Sequence, residues 1–218
     1  MSSCVTSAFE TAQATYHSAI LDILSLETEI KIKVANPEAV RRRLRYLGYR
    51  VHARRIFESN TVLDTTDLRL RNGGEVLRLR RAGHKNTVTY KGPSRPGRHK
   101  CREEVETTVA SGDALERILK HLGCEESFRY EKYRTEYARD SERGIVTVDE
   151  TPVGNYLEIE GSPNWIDETA RELGFSPADY ITKSYSALYL EYCHERGITP
   201  SNMVFSKRTG ERLTTRTK

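Results

Sequence analysis

Leu26-Glu27-Thr28-Glu29-Ile30-Lys31-Ile32-Lys33-Val34 alternates without a break. Successive side chains leave a strand on opposite faces, so Thr28, Ile30, Ile32 and Val34 share one side while Glu27, Glu29, Lys31 and Lys33 share the other. The pattern predicts a half-buried strand whose second face carries only charge. Two later segments repeat the spacing, Glu104/Glu106 and Glu158/Glu160, and each of the three runs precedes a helix-like stretch, ending in Leu47-Gly48, Leu122-Gly123 and Leu173-Gly174. Each pair points both carboxylates into one space.

After the first strand, Asn36 can cap a helix, Pro37 suits its first position, Val40, Leu44 and Leu47 form an apolar stripe, and Gly48 stops it. Tyr49 to Asp64 is strand-like but irregular. Leu68 to Leu79 reads as a hairpin turning at Asn72-Gly73-Gly74, with Val76, Arg78 and Arg80 on one face of the return arm and Leu77 and Leu79 on the other. Thr87 to Lys91 is a short strand, followed by the breaker-rich loop Gly92-Pro93-Ser94-Arg95-Pro96-Gly97.

Lys100 to Val109 places Arg102, Glu104 and Glu106 together, and a helix from about Asp113 is expected to carry Leu115, Ile118, Leu119 and Leu122 toward a core. Tyr130 to Tyr137 sets Lys132, Arg134 and Glu136 opposite Tyr133 and Tyr137. Ile145–Asp149 and Tyr156–Glu160 pair across Pro152-Val153-Gly154, adding Asp149, Glu158 and Glu160 to the charged set. Helices near Trp165–Leu173 and Thr182–His194 complete the ordered part.

Roughly eight strands with short turns, and helices after only three of them, predict an α+β fold with antiparallel pairing. Eight strands can close into a barrel and remove their edges. An open sheet would show its charges to water; a closed one, apolar outside and covered by helices, would hold them inside.

The chain has 218 residues, 37% hydrophobic and 30% charged, enough for one domain with a full core. We divide it into an extension over residues 1–25, with a short helix through Ala19, Ile20, Ile23 and Leu24; a domain over 26–205; and a polar, basic tail over 206–218 that reads as disordered. A net charge of +4 suits an acidic small molecule and falls short of a dedicated nucleic-acid binder. Cys4, Cys101, Cys124 and Cys193 stand alone, which argues against zinc and against a disulfide framework, so a reducing cytoplasm is expected. No apolar run is long enough for a membrane span, and the start lacks the pattern of a signal peptide. Oligomeric state stays open between monomer and homodimer.

Six strands carry charge on their polar face, three mostly carboxylate and three mostly arginine or lysine. Buried like charges are costly unless paired, solvated or bound to ions, so a lumen of this kind should be wet and suited to a charged guest. Converging carboxylates without cysteine or histidine select a hard cation, Mg2+ or Mn2+. Arg78, Arg80, Lys91, Arg102, Lys132 and Arg134 suit phosphate oxygens. A metal-chelated triphosphate satisfies both halves.

The chain resembles the CYTH superfamily, the triphosphate tunnel metalloenzymes that include class IV adenylyl cyclases and thiamine triphosphatases. The resemblance rests on Glu27-x-Glu29-x-Lys31, Leu77-Arg78-Leu79-Arg80, Tyr90-Lys91-Gly92-Pro93, Arg102-x-Glu104-x-Glu106, Lys132-x-Arg134, Val148-Asp149 and Leu157-Glu158-Ile159-Glu160. It covers about Leu26 to Tyr192 and implies an eight-stranded antiparallel tunnel. It also implies that Glu27, Glu29, Glu158 and Glu160 hold the metal, with Glu104, Glu106 and Asp149 forming a second site or orienting the first.

On the same analogy Lys31 and Lys33 join the basic residues that grip phosphate. Lys31 and Lys183 are the candidate catalytic residues, Lys183 matching a late tunnel lysine that helps activate water. The activities implied are hydrolysis of a terminal phosphate or, alternatively, cyclisation of ATP to cyclic AMP and pyrophosphate. A non-catalytic polyphosphate-binding module and action on the 5′-triphosphate of RNA are further alternatives. The chain departs from the family in its residues before the signature and in having Asn60 where many relatives have an acid.

The six histidines read as surface groups and Gly73-Gly74 as a turn. Arg41-Arg42-Arg43 reads as the solvated face of its helix. Among the late tyrosines, Tyr185 is the one expected to reach the tunnel.

Overall fold

The computed structural model describes residues 25–140 and 142–206. The short helix expected through Ala19–Leu24, the tail from Lys207 and Cys4 lie outside the described residues. Eight strands form a closed barrel: β1 (Ser25–Val34), β2 (Arg50–Thr65), β3 (Val76–Ala82), β4 (Lys85–Lys91), β5 (Lys100–Val109), β6 (Cys124–Ala138), β7 (Gly144–Thr151) and β8 (Gly154–Gly161). Their order around the wall is β1-β5-β4-β3-β2-β6-β7-β8, with β8 returning to β1, and every pairing is antiparallel.

The alternation in β1 does what it implies. Ile30, Ile32 and Val34 point outward into a core with Val146, Val148, Leu157 and Ile159. That core is sealed by α1 (Pro37–Tyr46) through Leu44 and by α4 (Pro163–Glu172) through Ile166 and Ala170. Burying each such side chain stabilises the fold by about 1.5–3 kcal/mol. Asn36 caps α1 by accepting from the Ala39 N–H at 3.1 Å. Trp165 on α4 lies over Gly144 and Gly161, where a Cβ would meet its ring at 2.5 and 2.8 Å, so both hairpin ends need glycine for this close approach.

A second cluster closes one end of the barrel. There α5 (Tyr185–Arg196) packs Tyr185, Tyr189 and Cys193 against Tyr130, Tyr156, Val153 and Met203. Tyr185 reaches the lumen as its sequence position suggested.

Four expectations are corrected. The first hairpin arm is a single helical turn, α2 (Arg69–Asn72), because buried Asp64 accepts from the N–H groups of Thr65, Leu70 and Arg71 at 2.8–2.9 Å and winds the chain around itself. On α3 (Gly112–His121), capped by Ser111, Leu115 and Leu119 are half-buried, but Ile118 and Leu122 just beyond it are 55% and 72% exposed. Arg41 is not a solvated residue: it bonds Glu38 and Glu150, and Arg55 shares Glu150 at 3.0 Å, which ties α1 and β2 to β7. His99 is not at the surface either; its Nε2 lies 2.8 Å from Asp167, which also accepts from Tyr180 at 3.0 Å.

Candidate active site

The inward faces enclose a cavity of about 430 Å³ lined by eight basic and seven acidic side chains. Carboxylates outnumber bases six to three on β8, β1 and β5, and bases outnumber carboxylates five to one on β4, β3 and β6. The glutamate pairs belong to β8, β1 and β5, three consecutive strands that also carry Lys31, Lys100 and Arg102; Lys91 comes from the neighbouring β4, and Arg78, Arg80, Lys132 and Arg134 come from β3 and β6 on the far side.

Near the mouth, Lys91 Nζ lies 2.7 Å from both oxygens of Glu27 and 2.7 Å from Glu104, and Arg102 Nε donates to Glu27 at 3.3 Å. Burial, and then the charge of Glu29, oppose ionisation of Glu27, yet Lys91 and its hydrogen bonds hold the carboxyl down at about 2. Deeper, Glu29 accepts from Lys31 at 2.9 Å and Lys100 at 3.0 Å, and Lys31 also lies 3.2 Å from Glu158. Burial disfavours the Lys31 ammonium, but Glu158 and Glu29 more than offset it and raise its pKa. Lys31 is therefore a fixed cation rather than a proton acceptor. Lys100 fares differently: burial and then Lys31 depress its ammonium to about 8.

On the far wall, Lys132 lies 2.8 Å from Asp149, and Arg134 donates to Asp149 through Nε at 2.8 Å and to Glu158. The Tyr185 phenol donates to Asp149 at 2.7 Å. Asp149 is fully buried and saturated by these partners, so it braces the basic wall. Glu106, more exposed, accepts from Thr89 at 2.9 Å and faces Arg78 at 3.7 Å.

Glu160 opens onto the cavity without an ion pair among the described residues. Enclosure by protein, then the charges of Glu27, Glu104 and Glu29, push its carboxyl up to about 7 against the pull of Lys91. Negative charge at this end is therefore in excess.

Among the described residues no three carboxylates converge on one point as they stand; most are held by an ammonium or guanidinium instead. The donors are nevertheless all carboxylate oxygens, and the repulsion on Glu160 is what a hard cation would relieve. The set Glu27, Glu29, Glu104 and Glu160 fits Mg2+ or Mn2+ in chemistry.

Not every expected residue reaches the lumen. Lys33 is exposed beyond the end of the cavity. Lys183 precedes the N-cap Ser184 and pairs with Glu191 on the outer face of α5, so the structure does not bring it to the cavity. Two charged residues were missed. Lys100 lines the cavity but opens its strand, where it reads as a boundary. Glu58, 3.7 Å from Lys132 and 3.8 Å from Arg80, lies on the bulged strand β2 and is held down at about 2, burial opposing and Lys132 prevailing.

Fold and site together define a closed antiparallel barrel that carries its charged residues in the lumen instead of on the surface. The CYTH domain family model matches residues 25–185, and the chain belongs to that family. A protein of Methanocaldococcus jannaschii named "putative adenylate cyclase" is 30% identical over 174 residues, covering 75% of this chain and 98% of that protein. A Vibrio parahaemolyticus structure, also described as a "putative adenylate cyclase", superposes with a TM-score of 0.65 at 21% identity over 75% of this chain and 97% of that one. A Hippeastrum protein described as a "putative adenylyl cyclase" with a dominant triphosphatase activity gives 0.54 at 19% identity over 80% and 97%. No described helix is long and apolar enough to cross a membrane.

Proposed function

We propose that the protein hydrolyses the terminal phosphate of a triphosphate-containing small molecule inside the barrel, with Mg2+ or Mn2+. The observation that carries this reading is an enclosed lumen lined by both signs, with six of its seven carboxylates on β8, β1 and β5 and five of its eight bases on β4, β3 and β6. Eight bases against seven acids leave the lining nearly neutral, so a polyanion with several charges needs a cation to enter with it. Glu27, Glu29, Glu104 and Glu160 would hold that cation, which when bound neutralises phosphate oxygens and orients them for in-line attack.

The protein's own groups do the rest. Arg78 and Arg80 offer guanidinium groups to phosphate oxygens, while Arg134, whose Nε–Nη2 edge is held by Asp149 and Glu158, and Lys132 add positive charge to the same wall. Held in place before substrate arrives, they stabilise charge as it develops on the transferred and leaving groups. Lys31 keeps Glu29 and Glu158 ionised beside it. The aromatic floor of Tyr130, Tyr156 and Tyr185 closes one end against bulk water.

Cyclisation of ATP is the second reading, favoured by the name of the Methanocaldococcus relative. It demands a ribose 3′-hydroxyl in line with the α-phosphorus, whereas hydrolysis demands only a positioned water. The test is a product assay with Mg2+ or Mn2+ and tripolyphosphate, ATP, GTP or thiamine triphosphate. Release of inorganic phosphate supports hydrolysis; cyclic AMP with pyrophosphate supports the cyclase. Tight binding without product leaves a binding module.

A further inference from the structure

The cations that hold the candidate metal carboxylates are not equivalent. Glu29 accepts two ammonium groups on the same oxygen, Oε1: Lys31 at 2.9 Å and Lys100 at 3.0 Å. Lys31 has a second acid, Glu158 at 3.2 Å, and the Tyr185 ring 5.4 Å from its Nζ. Lys100 makes no other ion pair among the described residues. It stands directly opposite Glu29 across the β1–β5 pair, and its buried side chain lines the cavity two residues before Arg102.

A divalent ion on Glu29 therefore treats the two lysines differently. Lys31 keeps Glu158 when the ion arrives. Lys100 is left buried without a counter-ion, and a buried cation short of a partner is costly. An anion in the same lumen removes that cost, because the freed ammonium has three N–H groups to offer it. Lys91 and Arg102 also face an ion that takes Glu27, but their place at the phosphates is expected from the sequence and that of Lys100 is not.

We infer that Lys100 couples the two ligands: it holds Glu29 while the lumen is empty, yields that carboxylate to the divalent ion, and turns its ammonium to a phosphate oxygen of the triphosphate. The inference rests on the metal and triphosphate readings above and goes beyond them by giving a residue outside the sequence motifs the task of making metal and substrate bind together. Such coupling is reciprocal, so the factor by which the ion tightens triphosphate binding is also the factor by which triphosphate tightens the ion.

The test is calorimetric titration of the wild type, Lys100→Met and Lys100→Gln at pH 7 with Mg2+ alone, with inorganic tripolyphosphate alone, and with tripolyphosphate at saturating Mg2+. Metal bound by free tripolyphosphate is common to all three proteins and cancels between them. Both variants should bind Mg2+ alone about tenfold more tightly, since the competing ammonium is gone, and tripolyphosphate with Mg2+ about tenfold more weakly, since that ammonium is missing from the phosphate. Tripolyphosphate without Mg2+ should bind as in the wild type. A damaged fold weakens both ligands and cannot produce opposite shifts, and Lys100→Gln keeps a donor for Glu29 that protects the barrel wall. Mg2+ affinity no higher than wild type in either variant, or wild-type affinity for tripolyphosphate with Mg2+, overturns the inference and leaves the triphosphate reading standing. A wild type that fails to bind Mg2+ or tripolyphosphate overturns that reading itself, and the inference falls with it.

Discussion

The phenol of Tyr185 donates to Asp149 at 2.7 Å, so a helix outside the barrel is fastened to a carboxylate inside it. Asp149 also holds Lys132 and Arg134. Asp149→Asn should therefore leave two buried cations underpaired and cost about 3–5 kcal/mol, measured by urea denaturation. Tyr185→Phe removes only one hydrogen bond and should cost about 1 kcal/mol. Equal losses in the two variants would show that Asp149 is not the brace.

Glu29→Gln preserves shape and, on sequence grounds alone, should spare the fold. The structure revises that expectation. Glu29 is buried between Lys31 and Lys100, so the amide leaves two ammonium groups short of a partner. We expect metal-dependent turnover to fall at least about 100-fold and stability to fall by about 3 kcal/mol. A melting temperature equal to the wild type would mean that the lysines find other partners.

Glu160→Gln is the cleaner probe of the acidic wall, because Glu160 has no ion pair to break among the described residues. A carboxyl raised from 4.5 to about 7 binds more protons in the folded state than in the unfolded state across that window. Its contribution to stability therefore falls as pH rises from about 4.5 to 7 and stays unfavourable above. The melting temperature of Glu160→Gln minus that of the wild type should grow through that window and level off above it. Millimolar Mg2+ or Mn2+ should raise the wild-type value at pH 8 more than that of the variant. A pH-independent difference would place Glu160 outside the field of Glu27 and Glu104.

Gly144→Ala would drive a methyl carbon into the Trp165 ring at 2.5 Å. Overpacking of this kind costs about 1–3 kcal/mol, and Trp165 fluorescence should shift as the ring is displaced. An alanine variant with native fluorescence and stability would show that the ring has room to yield.

Much of the barrel was legible because the strand period is two and each buried face is unmixed. Ile30-Lys31-Ile32 admits one arrangement once helices cover the apolar side. Residues 50–57 were harder to read: register shifts at Val51, Ala53 and Ile56 break the alternation, and Glu58 was overlooked beside them. The turn α2 was hidden because its organiser, Asp64, acts on N–H groups six and seven residues ahead. Lys183 and Lys33 carry the same charge as residues inside the lumen, and only the path of the backbone puts them elsewhere. Nor could alternation show that most of the carboxylates would be held by lysine or arginine.

The first strand, β1, completes the ring by pairing with β8, from Glu29 opposite Glu160 to Val34 opposite Asn155. During synthesis its hydrogen bonds on that side wait for a partner more than a hundred residues away, and contacts so distant in sequence form slowly. Until β8 leaves the ribosome, Glu27 and Glu29 lack Glu158 and Glu160 beside them. Any affinity for a divalent ion is thus acquired late in translation, and a nascent chain arrested before Gly154 has a seam through which its charged interior is open to chaperones and proteases.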